Sequence, residues 1–161
     1  MTKSKKVSEI AVENRKARYL YFIEQVIEAG IVLYGEEIQS IRKGKVSIDH
    51  AYASERDNAI WMYNSHIQVS QNATIIDEKK VKDPIRPRKL LLKKKEIDKI
   101  KIKLFSHGYT LIPLNIHYNK KGFAKIDLGL SKGRKKEDKR EYKKEQDWKR
   151  QKGRLLSENL K

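Results

Sequence analysis

Residues 109–130 read YTLIPLNIHYNKKGFAKIDLGL. Two alternating runs flank a turn. Ile112, Leu114, Ile116 and Tyr118 fall on one side of the first run, and Ala124, Ile126, Leu128 and Leu130 on one side of the second. Successive strand residues point to opposite faces, so each run predicts a strand with one apolar face. NKKG (residues 119–122) supplies the turn, with Gly122 able to take a positive φ. The opposite face carries Asn115, His117, Lys125 and Asp127. A polar, basic sheet face is a surface on which a phosphate backbone can lie.

The segments around this hairpin extend the pattern. RYLYFIEQV (18–26) is rich in aromatic and β-branched residues and predicts a strand; EAGIVLYG (28–35), an apolar run between glycines, predicts another. EEIQSIRKG (36–44) predicts a short helix, with acids in its first turn, bases in its last and Gly44 as a stop. Residues 45–69 predict two strands around a turn at Arg56–Asp57–Asn58, with Val46, Ile48, His50 and Tyr52 on one face of the first. The two prolines of DEKKVKDPIRPRK (77–89) predict a loop. Residues 90–108 begin as a short apolar run and become a helix, with Ile97, Ile100 and Leu104 on one face and Gly108 closing it. Residues 1–13 are polar and without period, and are expected to be flexible. The predicted class is mainly β with peripheral α. Short antiparallel strands joined by tight turns favour a small, closed or partly closed barrel resembling an oligonucleotide-binding fold. Fold alone assigns no function.

Charge narrows the function. The chain has 161 residues, with 38 Lys and Arg against 21 Asp and Glu, a net +17. The last 31 residues carry +7 of it, so the tail is about three times as basic per residue as the body. Such an excess points to a polyanionic partner. Cysteine is absent, which excludes disulfides and thiolate metal sites and suits a reducing compartment. No run approaches the roughly 20 apolar residues that span a bilayer, and MTKSKKVSEI is followed by no apolar stretch. A soluble, cytoplasmic monomer is expected, without membrane contact. The four histidines, His50, His66, His107 and His117, show no metal-ligand spacing, and His50 reads as a structural histidine on a strand face. No phosphate loop, dinucleotide fingerprint, nucleophile elbow or zinc motif is present. No enzymatic activity, cofactor or metal is expected.

Three basic clusters remain: Arg15, Lys16 and Arg18; Arg86, Arg88, Lys89, Lys93, Lys94 and Lys95; and Lys132, Arg134, Lys135 and Lys136. Any one alone reads as a solvated face. Together, with Tyr19, Tyr21, Tyr109 and Tyr118 nearby, they favour nucleic acid. RNA is preferred to duplex DNA, because no helix-turn-helix or basic zipper is present and RNA is read through shape, stacking and phosphates. In the tail, a helix would align Trp148, Leu155, Leu156 and Leu160 on one stripe. So few apolar residues do not repay the ordering of some 30 residues at about 1–2 kcal/mol each. The tail is expected to be disordered when free and helical when bound; the alternative is a helix packed back on the barrel.

ENRKARYLYFIEQVIEAGIVLYGEEIQSIRKGKVSI (13–48), DPIRPRKLLLKKKEI (83–97) and LGLSKGRKKEDKREYKK (128–144) together resemble the small protein B family, the SsrA-binding proteins. The resemblance runs from about Ile10 to Lys144 in unbroken order. It implies an antiparallel barrel with peripheral helices and a long tail. It also implies binding to transfer-messenger RNA at the elbow of its tRNA-like part, and delivery of that RNA to stalled ribosomes with elongation factor Tu as companion. The tail would probe the empty messenger channel near the decoding centre. Carried over by position, Glu28, Gly30, Leu91, Lys93 and Lys125 would face RNA, with Gly129 and Gly133 allowing close approach. Asp138, Lys139 and Arg140 would centre the decoding-centre contact, with Trp148 as an aromatic anchor. Arg15, Lys16, Arg18, Tyr19, Arg88, Lys89 and Lys132 from the basic clusters join the RNA set. Lys135, Lys136, Leu155 and Leu156 join the ribosome-binding set. The chain departs from the family at Glu137, where His or Tyr is common, at Tyr19, where histidine is common, and at Lys93, where a neutral polar residue or histidine is frequent. The expected division is a flexible segment 1–13, an RNA-binding barrel 14–130 and a basic tail 131–161. A structural ribosomal protein binding rRNA shares the charge and the small barrel, and stands as the alternative; an RNA-processing enzyme is a third reading, without a catalytic constellation to support it.

Overall fold

The computed structural model describes residues 10–69, 83–106 and 108–160. In chain order the elements are β1 (Ile10–Glu13), α1 (Ala17–Leu20), β2 (Tyr21–Ile31), α2 (Gly35–Arg42), β3 (Val46–Ser47), β4 (Tyr52–Arg56), β5 (Ala59–Tyr63), β6 (His66–Ile67), β7 (Arg88–Leu91), α3 (Lys94–Leu104), β8 (Tyr109–Tyr118), β9 (Ala124–Gly133) and α4 (Lys136–Glu158). Every strand pair is antiparallel. Pairing runs β2–β9–β8–β4–β5–β7 and returns from β7 to β2, so these strands form a closed cycle. One edge of β8 is shared: β4 meets it at Leu111, and β1 takes the stretch from Asn115 to His117. β3 and β6 form a separate two-stranded ribbon. Ile41, Ile48, Ile60, Met62, Ile67, Leu90, Ile100, Leu111, Ile116, Ile126 and Leu128 fill the enclosed core.

The hairpin of β8 and β9 forms as its alternation predicts. Its turn is held by Asn119, whose Oδ1 accepts from the Lys121 and Phe123 amides at 3.0 and 2.9 Å, and by Gly122 at φ +82°. The alternation is not continuous, however. Pro113 pairs with Leu128 and Asn115 with Asp127, so Leu114 is an extra residue. The bulge sits where Pro113 lacks an amide for the ladder. It reverses the faces. Leu111 and Ile116 enter the main core, whereas Ile112 and Leu114 turn to the other side and pack on Ala17. A second register shift, between Ile23 and Gln25 of β2, lets the partner ribbon follow.

Several expectations are corrected. Residues 10–13, expected to be flexible, form β1; residues 1–9 lie outside the described residues, as do residues 77–82 of the expected loop. Residues 17–20 are helical rather than extended. The Leu20 amide bonds to Lys16 O at 3.0 Å, while Asn14 Nδ2 donates to Pro113 O at 3.2 Å and Ile48 O at 3.4 Å, pinning the turn across two other segments. The two strands expected over 18–35 are one 11-residue strand. Gly30 lies inside it because β7 passes close: a Cβ there would stand 3.2 Å from that of Leu91. Arg88–Leu91, expected to span the loop's end and the start of the apolar run, is a strand because β2 and β5 offer it edges on both sides. His50 is not on a strand face but in an exposed turn, so it is no structural core histidine.

The tail residues 136–158 form a helix with none of them buried. Trp148 is 63% exposed, and Leu155 and Leu156 are also exposed. Glu145 and Lys149 pair along it at 2.9 Å, lowering the carboxyl and raising the ammonium. Only its root is held to the body. The Arg134 amide donates to Leu20 O at 2.9 Å, its Nε reaches the carbonyls of Arg18 and Tyr21, and its guanidinium lies 4.6 Å from the Tyr142 ring centre. No described helix is long and apolar enough to cross a membrane.

Candidate nucleic-acid interface

The longest ribbon of the fold, β2 against β9, carries a site at each end. At one end a groove of about 950 Å³ opens between β2, β9 and α3. Its lining includes Glu28, Gly30, Leu91, Lys93 and Lys125, five of the residues expected to face RNA. Register explains the gathering. Gly30 of β2 lies opposite Leu91 of β7 on one side and Lys125 of β9 on the other. The missing side chain at Gly30 lets the Leu91 side chain pack over the β2 backbone. Lys89 is exposed beside Leu91, on the face of β7 opposite to the buried Arg88 and Leu90. From α3, Lys99 and Lys103 add cations that the sequence reading did not single out.

The outward face of the ribbon is a ladder of polar rows. Glu28, Asp127 and Asn115 lie directly opposite one another on β2, β9 and β8, and Lys125 lies opposite His117. Asn115 Nδ2 donates to Asp127 Oδ2 at 3.1 Å; the ring nitrogens of His117 lie 3.0 Å from Asn115 Oδ1 and 3.2 Å from Glu28 Oε2. Glu28, His117 and Asp127 have donor atoms within 4.8 Å of one another, spacing that a cation would also accept. Hydrogen bonds already join all three, so the cluster is assigned to that network and not to metal. Among the described residues, no carboxylate lies within ion-pair distance of Lys125. Its charge is left for a partner.

Between the two ends, Glu24 occupies the β2 register shift. Its carboxyl accepts from Tyr109 Oη at 2.6 Å and from Lys103 Nζ at 3.1 Å. The tyrosine hydroxyl first, and then the lysine, hold this carboxyl below its ordinary value, and Lys103 is raised in turn. The ammonium groups of Lys103 and Lys132 lie 4.9 and 4.5 Å from the Tyr109 ring centre.

At the far end, about 25 Å along β2, Tyr21 and Phe22 lie opposite Gly133 and Lys132. Here α1 presents Arg18 and Tyr19, the preceding turn presents Arg15 and Lys16, and Lys132, Gly133 and Lys135 follow on β9 and just past it; all are exposed. Lys136, Asp138, Lys139 and Arg140 occupy the first turns of α4. Arg134 joins these parts, and sequence reasoning had counted it only as one charge among several.

Two expected RNA contacts are corrected. Arg88 is 0% exposed. Its guanidinium donates to Glu37 Oε1 from Nε and Nη2 at 3.1 and 2.8 Å, to Ser65 Oγ at 2.8 Å and to the carbonyls of Ser65, Pro84 and Arg86. No donor is left for a phosphate. Glu37, 1% exposed, also binds Arg86 at 2.6 Å. Burial pushes the Glu37 carboxyl up, but Arg86, the Tyr34 amide and Arg88 more than offset it, so the net shift is downward. Gly129 is buried as well. A Cβ there would stand 3.1 Å from Leu114 Cδ2 and 3.2 Å from Ile23 Cγ2, so the close approach it permits is that of two core side chains. Nothing in the local sequence marks Arg88 as buried; the carboxylate that holds it, Glu37, is 51 residues away.

Comparison with known proteins gives this geometry a context. A family model described as SmpB protein matches residues 11–158. The SsrA-binding protein of Allorhizobium ampelinum is 47% identical over 150 residues, covering 93% of this chain and 92% of the relative. That of Orientia tsutsugamushi is 49% identical over 148 residues, covering 92% of this chain and 94% of the relative. A chain of the solved structure "tmRNA-SmpB: a journey to the center of the bacterial ribosome" matches with a TM-score of 0.62 and 38% identity, covering 81% of this chain and 92% of that one. A match of this extent is that of a family member: the chain belongs to the SmpB family of SsrA-binding proteins.

Proposed function

We propose that this chain binds transfer-messenger RNA and acts with it on stalled ribosomes in trans-translation. The body grips the RNA and the C-terminal segment engages the ribosome. The observation that carries the proposal is the groove, in which Glu28, Gly30, Leu91, Lys93 and Lys125 come together from three separate stretches of sequence. The likeness to a chain from a tmRNA–SmpB–ribosome structure supports the choice of RNA and of particle. The closed strand cycle supports the finer reading of the body as a barrel of the oligonucleotide-binding type. The chain works by binding, as a non-enzymatic member of an RNA-binding family.

The tail is read as a separate unit. An exposed helix without one buried side chain is held beyond its root by helical hydrogen bonds and local pairs such as Glu145–Lys149. Such a helix exchanges with coil in water and becomes fixed when a channel covers its stripe. Asp138, Lys139 and Arg140 then meet the decoding centre, and Trp148, Leu155 and Leu156 lie further along.

The direct test is anisotropy of the labelled tRNA-like part of tmRNA against a duplex RNA of equal length, across a salt series. Tight, salt-dependent binding with preference for the tRNA-like fold is expected. Equal affinity for both RNAs overturns the proposal.

A further inference from the structure

We infer that His117 is the positioning residue for Glu28, holding its carboxylate at the lip of the groove to accept a hydrogen bond from a nucleobase N–H or a ribose hydroxyl of bound RNA. The inference rests on the RNA-binding reading of the groove and gives a role to a residue that alternation had placed only on the polar sheet face.

The network fixes its own donors. An ionised carboxylate only accepts, so Asn115 turns its Nδ2 to Asp127 at 3.1 Å and its Oδ1 to His117. That oxygen accepts from Nδ1–H at 3.0 Å. The remaining ring nitrogen, Nε2, faces Glu28 Oε2 at 3.2 Å, where two lone pairs would repel. The contact becomes a hydrogen bond when Nε2 is protonated too, making the ring cationic between two carboxylates. Asp127 Oδ2 lies 3.9 Å from Nδ1 on the other flank. The other neighbours are Lys125, opposite on β9, Ile10, opposite on β1, and Glu13, opposite Asn115. His117 is 5% exposed and has no direct access to RNA. Glu28 is on the surface, its side chain 58% exposed. Among the described residues its Oε1 has no hydrogen-bond partner. A carboxylate in a groove lined by Lys93, Lys99, Lys103 and Lys125 does not bind phosphate. It accepts from amino, imino or hydroxyl donors, as carboxylates do at base edges. Held by His117, it is spared the rotamer ordering that a free glutamate undergoes on binding.

The test measures tmRNA affinity of the full chain for wild type, His117→Gln, Glu28→Gln and the double variant. His117→Gln is expected to weaken binding roughly fivefold to tenfold, within the range of one net hydrogen bond, with the salt slope unchanged because no phosphate contact is lost. In the Glu28→Gln background the same change is expected to add nothing. Thermal melts separate folding from binding. If His117→Gln unfolds, Asn115→Ala, which removes the acceptor that orients the ring, takes its place in the same cycle and is expected to weaken wild type and to add nothing to Glu28→Gln. Substitutions that act additively overturn the inference and leave the RNA reading standing. Wild type that fails to bind tmRNA under any of these conditions removes the RNA reading itself.

Discussion

Arg88, behind the groove, and Lys125, in its lining, show how differently a cation behaves inside and outside this fold. Arg88 serves the structure: it and the partly covered Arg86 converge on the buried Glu37. Removing one member of a buried pair leaves the other uncompensated, so Glu37→Gln is expected to cost about 3–5 kcal/mol of stability at pH 7. The sign of the pH effect follows from the lowered carboxyl. Glu37 contributes its full stability above the ordinary value of 4.5, and the contribution fades as pH falls through the lower folded value. Urea melts of wild type should therefore weaken toward acid more steeply than those of Glu37→Gln; parallel profiles would contradict the assignment. Lys125, by contrast, has no carboxylate partner and faces outward. Lys125→Ala is expected to weaken tmRNA binding by about 1–3 kcal/mol and to lower the salt slope by about one, with melting unchanged. An unaltered slope would take it out of the interface.

Local patterns in the sequence were sufficient for the elements that local physics decides. The hairpin of β8 and β9, the turn before β5, the helices α2 and α3 and the polar face with Asn115, His117, Lys125 and Asp127 all follow from alternation, helical spacing and turn residues. What was not legible depends on partners far along the chain. β1 is a strand because β8 offers it an edge, and β7 is a strand because β2 and β5 lie on either side. The face reversal in β8 arises from a bulge at Pro113 that no period announces. The groove itself was legible only as separate residues assigned by resemblance; their meeting depends on the register of three strands. Gly129 is the sharpest case, since its neighbours come from β2 and β8. Gly129→Ala forces Leu114 and Ile23 apart by a few tenths of an ångström, and overpacking of this kind costs about 1–3 kcal/mol. The expected outcome is a lowered melting temperature with the salt slope of tmRNA binding intact. A changed slope without loss of stability would return Gly129 to the RNA surface.

At the scale of the whole molecule, the ribbon of β2 and β9 is what joins the two proposed jobs. Its groove end is the proposed RNA surface, and its other end launches the tail. The boundary between them is therefore not at residue 130. Ser131 is buried and paired with Ile23 and Thr110, Gly133 is paired with Tyr21, and Arg134 ties Leu20 to the root of α4. A chain ended at Leu130 would lose the last rungs of the sheet together with the tail, and its defects would mix folding with function. A chain ended at Lys135 keeps every rung. It is expected to bind tmRNA within about twofold of wild type, since no buried residue is removed, yet to fail in peptide transfer on stalled ribosomes. A finer version replaces Trp148 alone with Ala. Because this ring is 63% exposed on a helix that has no buried residue, its loss is expected to leave melting and RNA affinity unchanged. Transfer should nevertheless fall, because a large aromatic residue pays back its ordering only where a pocket covers it. Loss of tmRNA affinity in either variant would place part of the RNA site on the tail. Full transfer activity in the truncated chain would leave the exposed helix without a role on the ribosome.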